Sequence, residues 1–157
     1  MNVLVADPFA TIDDPAIAHL PLDDLLARAD YVVCLAIANA QTENLIGKAA
    51  LARMQKHAFF INLSRGNLVD EVALAAALRA GGIAGAALDV GRAPDQMPSP
   101  ELAELRNVIA TPHVGGLTPQ AIEHQSSETV RQVAKIAAGE VPVGAVNAEH
   151  WTRRPRL

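Results

Sequence analysis

Cysteine, aromatic side chains and long apolar runs are all scarce in this sequence of 157 residues. The one cysteine, Cys34, cannot form an intrachain disulfide, which excludes a disulfide-stabilised secreted domain and fits a reducing cytoplasm. Aromatic residues make up 3% of a chain that is 50% hydrophobic, so alanine, valine and leucine have to build the core. No apolar run approaches the roughly 20 residues that span a bilayer, and the first residues do not resemble a signal peptide. We therefore expect a cytoplasmic protein without a membrane segment.

Positive charge is also limited, because 13 lysines and arginines face 17 aspartates and glutamates, for a formal net charge of -4. This balance argues against a nucleic-acid-binding surface. Three arginines near the C-terminus, Arg153, Arg154 and Arg156, are more typical of a solvated terminus than of a binding arm. No histidine is spaced with cysteines or acids as metal ligands are, so we expect no metal site.

Short apolar runs alternate with helical patterns along the chain. Strands are predicted at residues 3–6, 31–37, 58–63, 83–90 and 107–110. Helices are predicted at residues 22–26, 48–54, 71–80, 100–105 and 118–138. The continuous run at 31–37 indicates a strand that is covered on both faces. Strands that alternate with helices and are joined by right-handed crossovers predict an α/β fold with a doubly wound parallel sheet.

Arg65 follows the predicted strand at 58–63, and an acidic helix start at Asp70 and Glu71 comes next. Ligands of open α/β folds collect at this edge of the sheet. A permanently charged guanidinium suits the carboxylate and the neighbouring keto oxygen of a 2-oxo acid. The alternative is a surface arginine that pairs with Asp70 or Glu71.

His113 follows the last predicted strand, within the segment Thr111-Pro112-His113-Val114-Gly115-Gly116. A single histidine is more often structural than catalytic. Here it lies where the sheet presents its loops, and two glycines close by let a ligand approach the backbone. A histidine that titrates near neutral pH can deliver a proton to a carbonyl oxygen, or remove one in the reverse direction.

Two segments resemble those of the D-2-hydroxyacid dehydrogenases, the family that includes phosphoglycerate dehydrogenases and glyoxylate–hydroxypyruvate reductases. The stretch from Ile61 to Glu71 is similar to the family pattern I-N-x-x-R-G-x-x-V-D-E, and residues 111–116 are similar to T-P-H-x-G-G. The resemblance covers roughly residues 3–147 and implies a Rossmann-like NAD-binding domain over 1–147. This domain would include the long helix at 118–138 and precede an irregular tail at 148–157, with the substrate domain outside the sequence.

The resemblance implies catalytic roles for Arg65, which would orient the substrate, and for His113, which would be the acid/base. The third family residue is a glutamate in the pattern A-L-D-V-F-x-x-E-P. The stretch from Ala87 to Asp95 matches the start of this pattern but has Pro94 at the glutamate position. Asp95 follows immediately, and either it replaces the glutamate or it is a loop acid that faces solvent.

The cofactor implied by the resemblance is NAD. An acid at the end of the second strand of a dinucleotide-binding fold accepts hydrogen bonds from the adenosine ribose, and Asp7 is placed to do so. Asp7 would also repel a 2′-phosphate, which favours NAD over NADP. The family match adds the remaining candidate cofactor-binding residues, which are Ser64, Arg65, Asp89, His113, Gly115 and Gly116.

Two departures from the family weaken the cofactor prediction. Ala36 and Ala38 stand where histidine and proline are common, and no G-x-G-x-x-G follows a strand. The glycines at 81–85 follow a helix and enter a strand, which is the reverse of a phosphate-binding turn. The first strand of the nucleotide fold has no counterpart, so we expect unpaired apolar edges at residues 3–6 and on the strands after Leu63.

Two functions from different classes remain. The first is an NAD-dependent oxidoreductase that interconverts a small 2-oxo acid and a D-2-hydroxy acid, present here as a C-terminal fragment. The second is a catalytically silent nucleotide-binding module, or an interaction module that depends on a partner. The family resemblance also suggests a homodimer.

Overall fold

The computed structural model of the chain describes residues 1–150. It divides into two compact units, of which the first spans Met1–His113 and the second begins at Val114. None of the helices in this described range is both long and apolar enough to cross a membrane.

The first unit contains all the strands of the described chain, and they form two parallel sheets. The strands are β1 (Val3–Val5), β2 (Ile17–His19), β3 (Tyr31–Cys34), β4 (Phe59–Asn62), β5 (Gly85–Leu88) and β6 (Val108–Ala110). Strands β1 and β2 form a two-stranded sheet, and the other strands form a four-stranded sheet in the order β3-β4-β5-β6. All pairs are parallel, so the predicted α/β class with a parallel sheet is confirmed.

Helices connect these strands. They are α1 (Leu22–Arg28), α2 (Lys48–Arg53), α3 (Glu71–Arg79) and α4 (Pro100–Ala103), and α5 (Pro119–Ala137) lies in the second unit. Short 3-10 turns occur at Gly66–Leu68 and at Ala148–His150. The last turn begins the predicted tail, and the rest of that tail, with the three terminal arginines, lies outside the described residues.

Two helix starts follow directly from local sequence. The Asp70 side chain accepts a hydrogen bond from the Ala73 amide at the start of α3, and Thr118 does the same for Ala121 at the start of α5. Such N-caps satisfy amides that have no partner inside the helix. Helix α5 ends before Gly139, whose positive φ of 77° is the left-handed conformation that ends many helices.

The core lies on one face of the four-stranded sheet. Buried side chains from α1, α2 and α3 meet buried strand residues there, including Leu26, Leu51, Leu74, Val32, Phe60 and Ala86. Strand β3 alternates, because Val32 and Cys34 are buried while Tyr31 and Val33 are 65% and 49% exposed. The prediction that this strand is covered on both faces is therefore wrong for the described chain. Tyr31 stacks on Phe59 of the paired strand on the exposed side.

Two further details differ from expectation. Strand β2 was not expected, because its three residues are too few to show a period-two pattern. The expectation of an unpaired edge on the strands after Leu63 is wrong for β5, which is paired with β4 and β6. In the described part of the chain, the unpaired edges of the four-stranded sheet belong to β3 and β6, and β1 is paired only with β2.

Candidate active site at the carboxyl ends of the strands

The four-stranded sheet presents three of the predicted site segments at one edge. Ser64 and Arg65 follow β4, Asp89 follows β5, and His113 follows β6. Because parallel strands end at the same edge, the loops that carry these residues share one side of the sheet. Asp7 follows β1 in the two-stranded sheet, and Gly115 and Gly116 belong to the second unit.

The Arg65 side chain is exposed, and its Nη1 donates to the carbonyl oxygen of the preceding residue, Ser64, at 2.7 Å. The acids considered as ion-pair partners have other roles. The Asp70 carboxylate caps α3, and Glu71 Oε1 accepts from the Arg92 amide at 2.8 Å. Within residues 1–150 the guanidinium forms no salt bridge, so its charge is available to an anionic ligand.

The Asn62 side chain forms hydrogen bonds with the backbone of Ser64 and Arg65. This side chain is 1% exposed at the end of β4; its Nδ2 donates to Arg65 O at 2.9 Å, and its Oδ1 accepts from the Ser64 amide at 3.1 Å. The Ser64 hydroxyl in turn donates to Ala36 O at 2.6 Å, which joins this turn to the segment after β3. We did not single out Asn62 from the sequence, although a polar residue ending an apolar run was a usable signal.

Asp89 and Thr111 link the ends of β5 and β6. The Thr111 hydroxyl donates to Asp89 Oδ1 at 2.5 Å, and Asp89 is 9% exposed. Two residues later the chain turns sharply, because the His113 amide donates to Thr111 O at 3.0 Å and His113 has a φ of 53°. Residues other than glycine rarely adopt this conformation, and such strain is concentrated at functional positions.

Asp95 is exposed, and its side chain accepts a hydrogen bond from within its own loop. Its Oδ1 accepts from the Met97 amide at 3.0 Å, and the Gly91 amide donates to Gln96 O at 2.9 Å. No described hydrogen bond or ion pair joins Asp95 to His113. A Cβ at Gly91 would collide with the carbonyl of Met97, so this loop has no room for the phenylalanine of the family pattern. Asp95 as a replacement for the family glutamate stays a prediction.

Polar groups that could contact a dinucleotide occur at the ends of β1, β5 and β6. Asp7 Oδ1 accepts from the amides of Phe9 and Ala10 at 2.9 and 3.2 Å, while Oδ2 has no hydrogen bond in the described chain and remains available to ribose hydroxyls. His19 Nε2 donates to Asp7 O at 2.8 Å and steadies this turn. Asp89 and Thr111 supply polar groups beside β5 and β6. The described residues contain no glycine-rich strand-to-helix turn for the pyrophosphate, and the cofactor contacts of Asp7 and Asp89 stay predictions.

Among the described residues, no group of three histidines, cysteines or acids is placed to hold a metal ion. Burial raises the pKa of the Cys34 thiol, which leaves this cysteine a poor nucleophile beneath the site.

A parallel α/β sheet that carries an arginine and a histidine beyond its strand ends is typical of a nucleotide-binding domain. The sequence model described as "D-isomer specific 2-hydroxyacid dehydrogenase, NAD binding domain" matches residues 1–115. The chain therefore belongs to the D-isomer specific 2-hydroxyacid dehydrogenase family. This confirms the family predicted from the two motifs, and it confirms NAD as the cofactor for which the matched domain is named.

Individual relatives agree with this assignment. The chain is 38% identical over 151 residues to D-3-phosphoglycerate dehydrogenase of Mycobacterium leprae, an alignment that covers 94% of this chain and 28% of that protein. It is 36% identical over 141 residues to glyoxylate reductase of Thermofilum pendens, which covers 90% of this chain and 42% of that protein. The chain thus spans less than half the length of these curated relatives.

A solved structure gives the same result for the fold. The D-isomer specific 2-hydroxyacid dehydrogenase from Lactobacillus delbrueckii ssp. bulgaricus, in its NAD-complexed form, superposes with a TM-score of 0.82 at 31% identity. The match covers 90% of this chain and 47% of that chain.

Proposed function

We propose that this chain carries the arginine and the acid/base histidine of an NAD-dependent enzyme that interconverts a 2-oxo acid and a D-2-hydroxy acid. The observation that carries the proposal is the position of Arg65 and His113 beyond β4 and β6 of one parallel sheet. Compounds such as glyoxylate, hydroxypyruvate or a phosphoglycerate-type acid have the required carboxylate and neighbouring oxygen.

Arg65 binds and orients the substrate in this proposal. A guanidinium has five N–H donors in a planar fork, and the described structure uses the Nη1 end for Ser64 O. The remaining donors can contact a carboxylate oxygen and the neighbouring keto oxygen. Exposure of the side chain leaves it accessible, while Asn62 fixes the backbone that carries it.

His113 transfers the proton. When bound, NAD(H) would supply the hydride for reduction of the carbonyl carbon and would accept it in oxidation. As the carbonyl carbon gains the hydride, the protonated imidazole gives its proton to the carbonyl oxygen, which yields the hydroxy acid. In the reverse direction the neutral imidazole removes the hydroxyl proton.

The proposed cofactor contacts are divided among three parts of the chain. Asp7 would accept from the adenosine ribose, Ser64 and Asp89 would border the cofactor along the sheet, and Gly115 and Gly116 would give it backbone access. The carboxylate of Asp7 favours NAD over NADP by repelling a 2′-phosphate. We propose that the enzyme works in a reducing cytoplasm, where Cys34 remains a free thiol.

A catalytically silent module is the second candidate, and one observation favours it. Within residues 1–150, β1 is paired only with β2 and β3 only with β4, so each sheet has an open edge. Tyr31 and Val33 of β3 are exposed apolar side chains. Open strand edges pair readily with another polypeptide. A module of this kind would bind a nucleotide or a partner without turnover.

The first experiment measures the intact mass of the protein from its natural source. A mass of 16.5 kDa would favour the module. A mass about twice as large, on the scale of two domains, would favour the complete enzyme.

The site itself is tested by NADH oxidation with glyoxylate or hydroxypyruvate, and by titration with oxamate, an unreactive analogue of a 2-oxo acid. We expect no measurable turnover from the 157 residues alone, and steady turnover would overturn this expectation. We expect oxamate binding to disappear in Arg65→Ala and to persist in Arg106→Ala, which removes another exposed arginine. In the complete enzyme, both Arg65→Ala and His113→Ala should abolish turnover. Tight binding of a partner without turnover would support the module.

A further inference from the structure

Arg92 joins three loops that lie beyond β3, β4 and β5. Its Nε donates to Val69 O at 2.9 Å, and its Nη2 faces Asn67 O at 2.8 Å and Asn44 Oδ1 at 2.6 Å. Nη2 also forms an ion pair with Glu43 Oε1 at 2.8 Å. Since Nη2 carries two hydrogens and faces three acceptors, one hydrogen is shared. We call Arg92, Glu43, Asn44, Asn67 and Val69 the Arg92 network.

The acceptors of this network are also hydrogen-bonded to one another. Asn67 O already accepts from the Asn44 amide at 2.9 Å, and Asn67 Nδ2 donates to Glu43 Oε2 at 3.0 Å. Asn44 has a positive φ of 55°, a conformation that is held by contacts on both its backbone and its side chain. Arg92 and Asn67 lower the pKa of the Glu43 carboxyl, which keeps this acid charged and able to hold the guanidinium.

The network acts immediately beside Arg65. Asn67 and Val69 follow Arg65 by two and four residues, and the intervening Gly66 packs directly on Gly91, the residue before Arg92. A Cβ at Gly66 would overlap the carbonyl of Gly91, so the two loops touch through their backbones. Within residues 1–150 the Arg65 guanidinium forms one hydrogen bond, to Ser64 O, so its position depends on how firmly this backbone is held.

We propose that Arg92 is a positioning residue of the substrate site, which fixes the turn that presents Arg65 to a 2-oxo acid. This inference rests on the proposed binding role of Arg65. A rigid fork that reaches four acceptors on two other loops suits this role, and a flexible ammonium group does not. Arg92 also stands in a loop that departs from the family pattern, where Gly91 leaves no space for a larger residue.

The test compares Arg92→Gln and Arg92→Lys with wild type and with Arg79→Gln. The control removes an exposed ion pair of the same length, Arg79 Nη1 to Glu101 Oε1 at 2.8 Å, away from the site loops. Each isotope-labelled chain is titrated with oxamate while the backbone amide signals of residues 43–46 and 66–69 are followed by NMR. Thermal unfolding of each variant separates a loss of positioning from a loss of fold.

We expect Arg92→Gln and Arg92→Lys to shift these amide signals and to weaken oxamate binding about tenfold, which corresponds to about 1.4 kcal/mol. Arg79→Gln should change neither. Equal oxamate affinity in wild type and Arg92→Gln would overturn the inference, as would weaker binding that follows only from partial unfolding.

A different result would count against the proposed function instead. If wild type does not bind oxamate, the proposed binding role of Arg65 is wrong. The amide signals then remain as the test of whether Arg92 positions the turn. Shifts at residues 66–69 in Arg92→Gln but not in Arg79→Gln would then support its positioning of the turn. Unchanged signals would overturn it.

Discussion

The hydroxyl of Thr111 donates a 2.5 Å hydrogen bond to Oδ1 of Asp89 and so joins the ends of two neighbouring strands. Both residues lie at the edge of the sheet that carries the candidate site. The same threonine accepts from the His113 amide through its carbonyl, at 3.0 Å. Thr111 therefore connects a nearly buried carboxylate to the turn that presents the acid/base candidate.

Removal of this hydroxyl tests that connection. We expect Thr111→Val to lower the free energy of unfolding by about 1.5 kcal/mol, because a part-buried hydrogen bond to a carboxylate is lost. The His113 amide signal should shift as well. Thr111→Ser keeps the hydroxyl and should stay within about 0.5 kcal/mol of wild type in urea unfolding. A valine variant as stable as wild type would show that the bond contributes nothing.

The close contact between Gly66 and Gly91 predicts that a larger residue at position 66 destabilises the fold. We expect Gly66→Ala to lower the free energy of unfolding by about 3 kcal/mol, because the added methyl overlaps a backbone carbonyl that cannot move aside freely. Gly81→Ala is the matched control, since its Cβ would meet nothing within 4 Å and its φ of +64° alone opposes the change. That control should cost about 1 kcal/mol. Equal losses in the two variants would contradict close packing of these loops.

The pair of Glu43 and Arg92 predicts a dependence of stability on pH. The pKa of Glu43 is lowered from 4.5 in the folded chain, first by its hydrogen bond with Arg92 and then by that with Asn67. A lowered folded-state pKa stabilises the fold above the unfolded pKa, and this contribution is lost as pH falls through the folded value.

The measurement is urea unfolding of wild type and Glu43→Gln from neutral pH into the acid range. We expect wild type to be the more stable at neutral pH and the difference to shrink as the pH falls below 4.5. Glu101→Gln, which removes an exposed ion pair with Arg79, serves as the control. A difference that stays constant down to the lowest pH would contradict the role of the Glu43 charge.

Cys34 should be unreactive in the folded chain. Its side chain is 6% exposed, and burial raises the pKa of its thiol, so little thiolate forms at neutral or mildly alkaline pH. We expect a thiol reagent to modify it slowly in buffer and rapidly in urea, as measured by the change of mass with time. Fast modification of the folded chain would show that the four-stranded sheet opens readily near β3.

Local patterns predicted much of this protein. The continuous apolar runs identified five of the six strands, and the N-caps Asp70 and Thr118 are where the helical patterns begin. The family motifs around Arg65 and His113 identified a family that the matched domain confirms. These signals are readable because each depends on residues that are close along the chain.

The tertiary structure decided what depends on distant residues. Arg92 and Asn44 are 48 positions apart, and Ser64 and Ala36 are 28 apart, yet both pairs are hydrogen-bonded. Local sequence patterns do not predict such contacts, because the contacts form only when β3, β4 and β5 bring their loops to one edge of the sheet. For the same reason the sequence indicated an apolar β3 but not which of its faces the helices cover. Packing on one face buries Val32 and Cys34 and leaves Tyr31 and Val33 exposed.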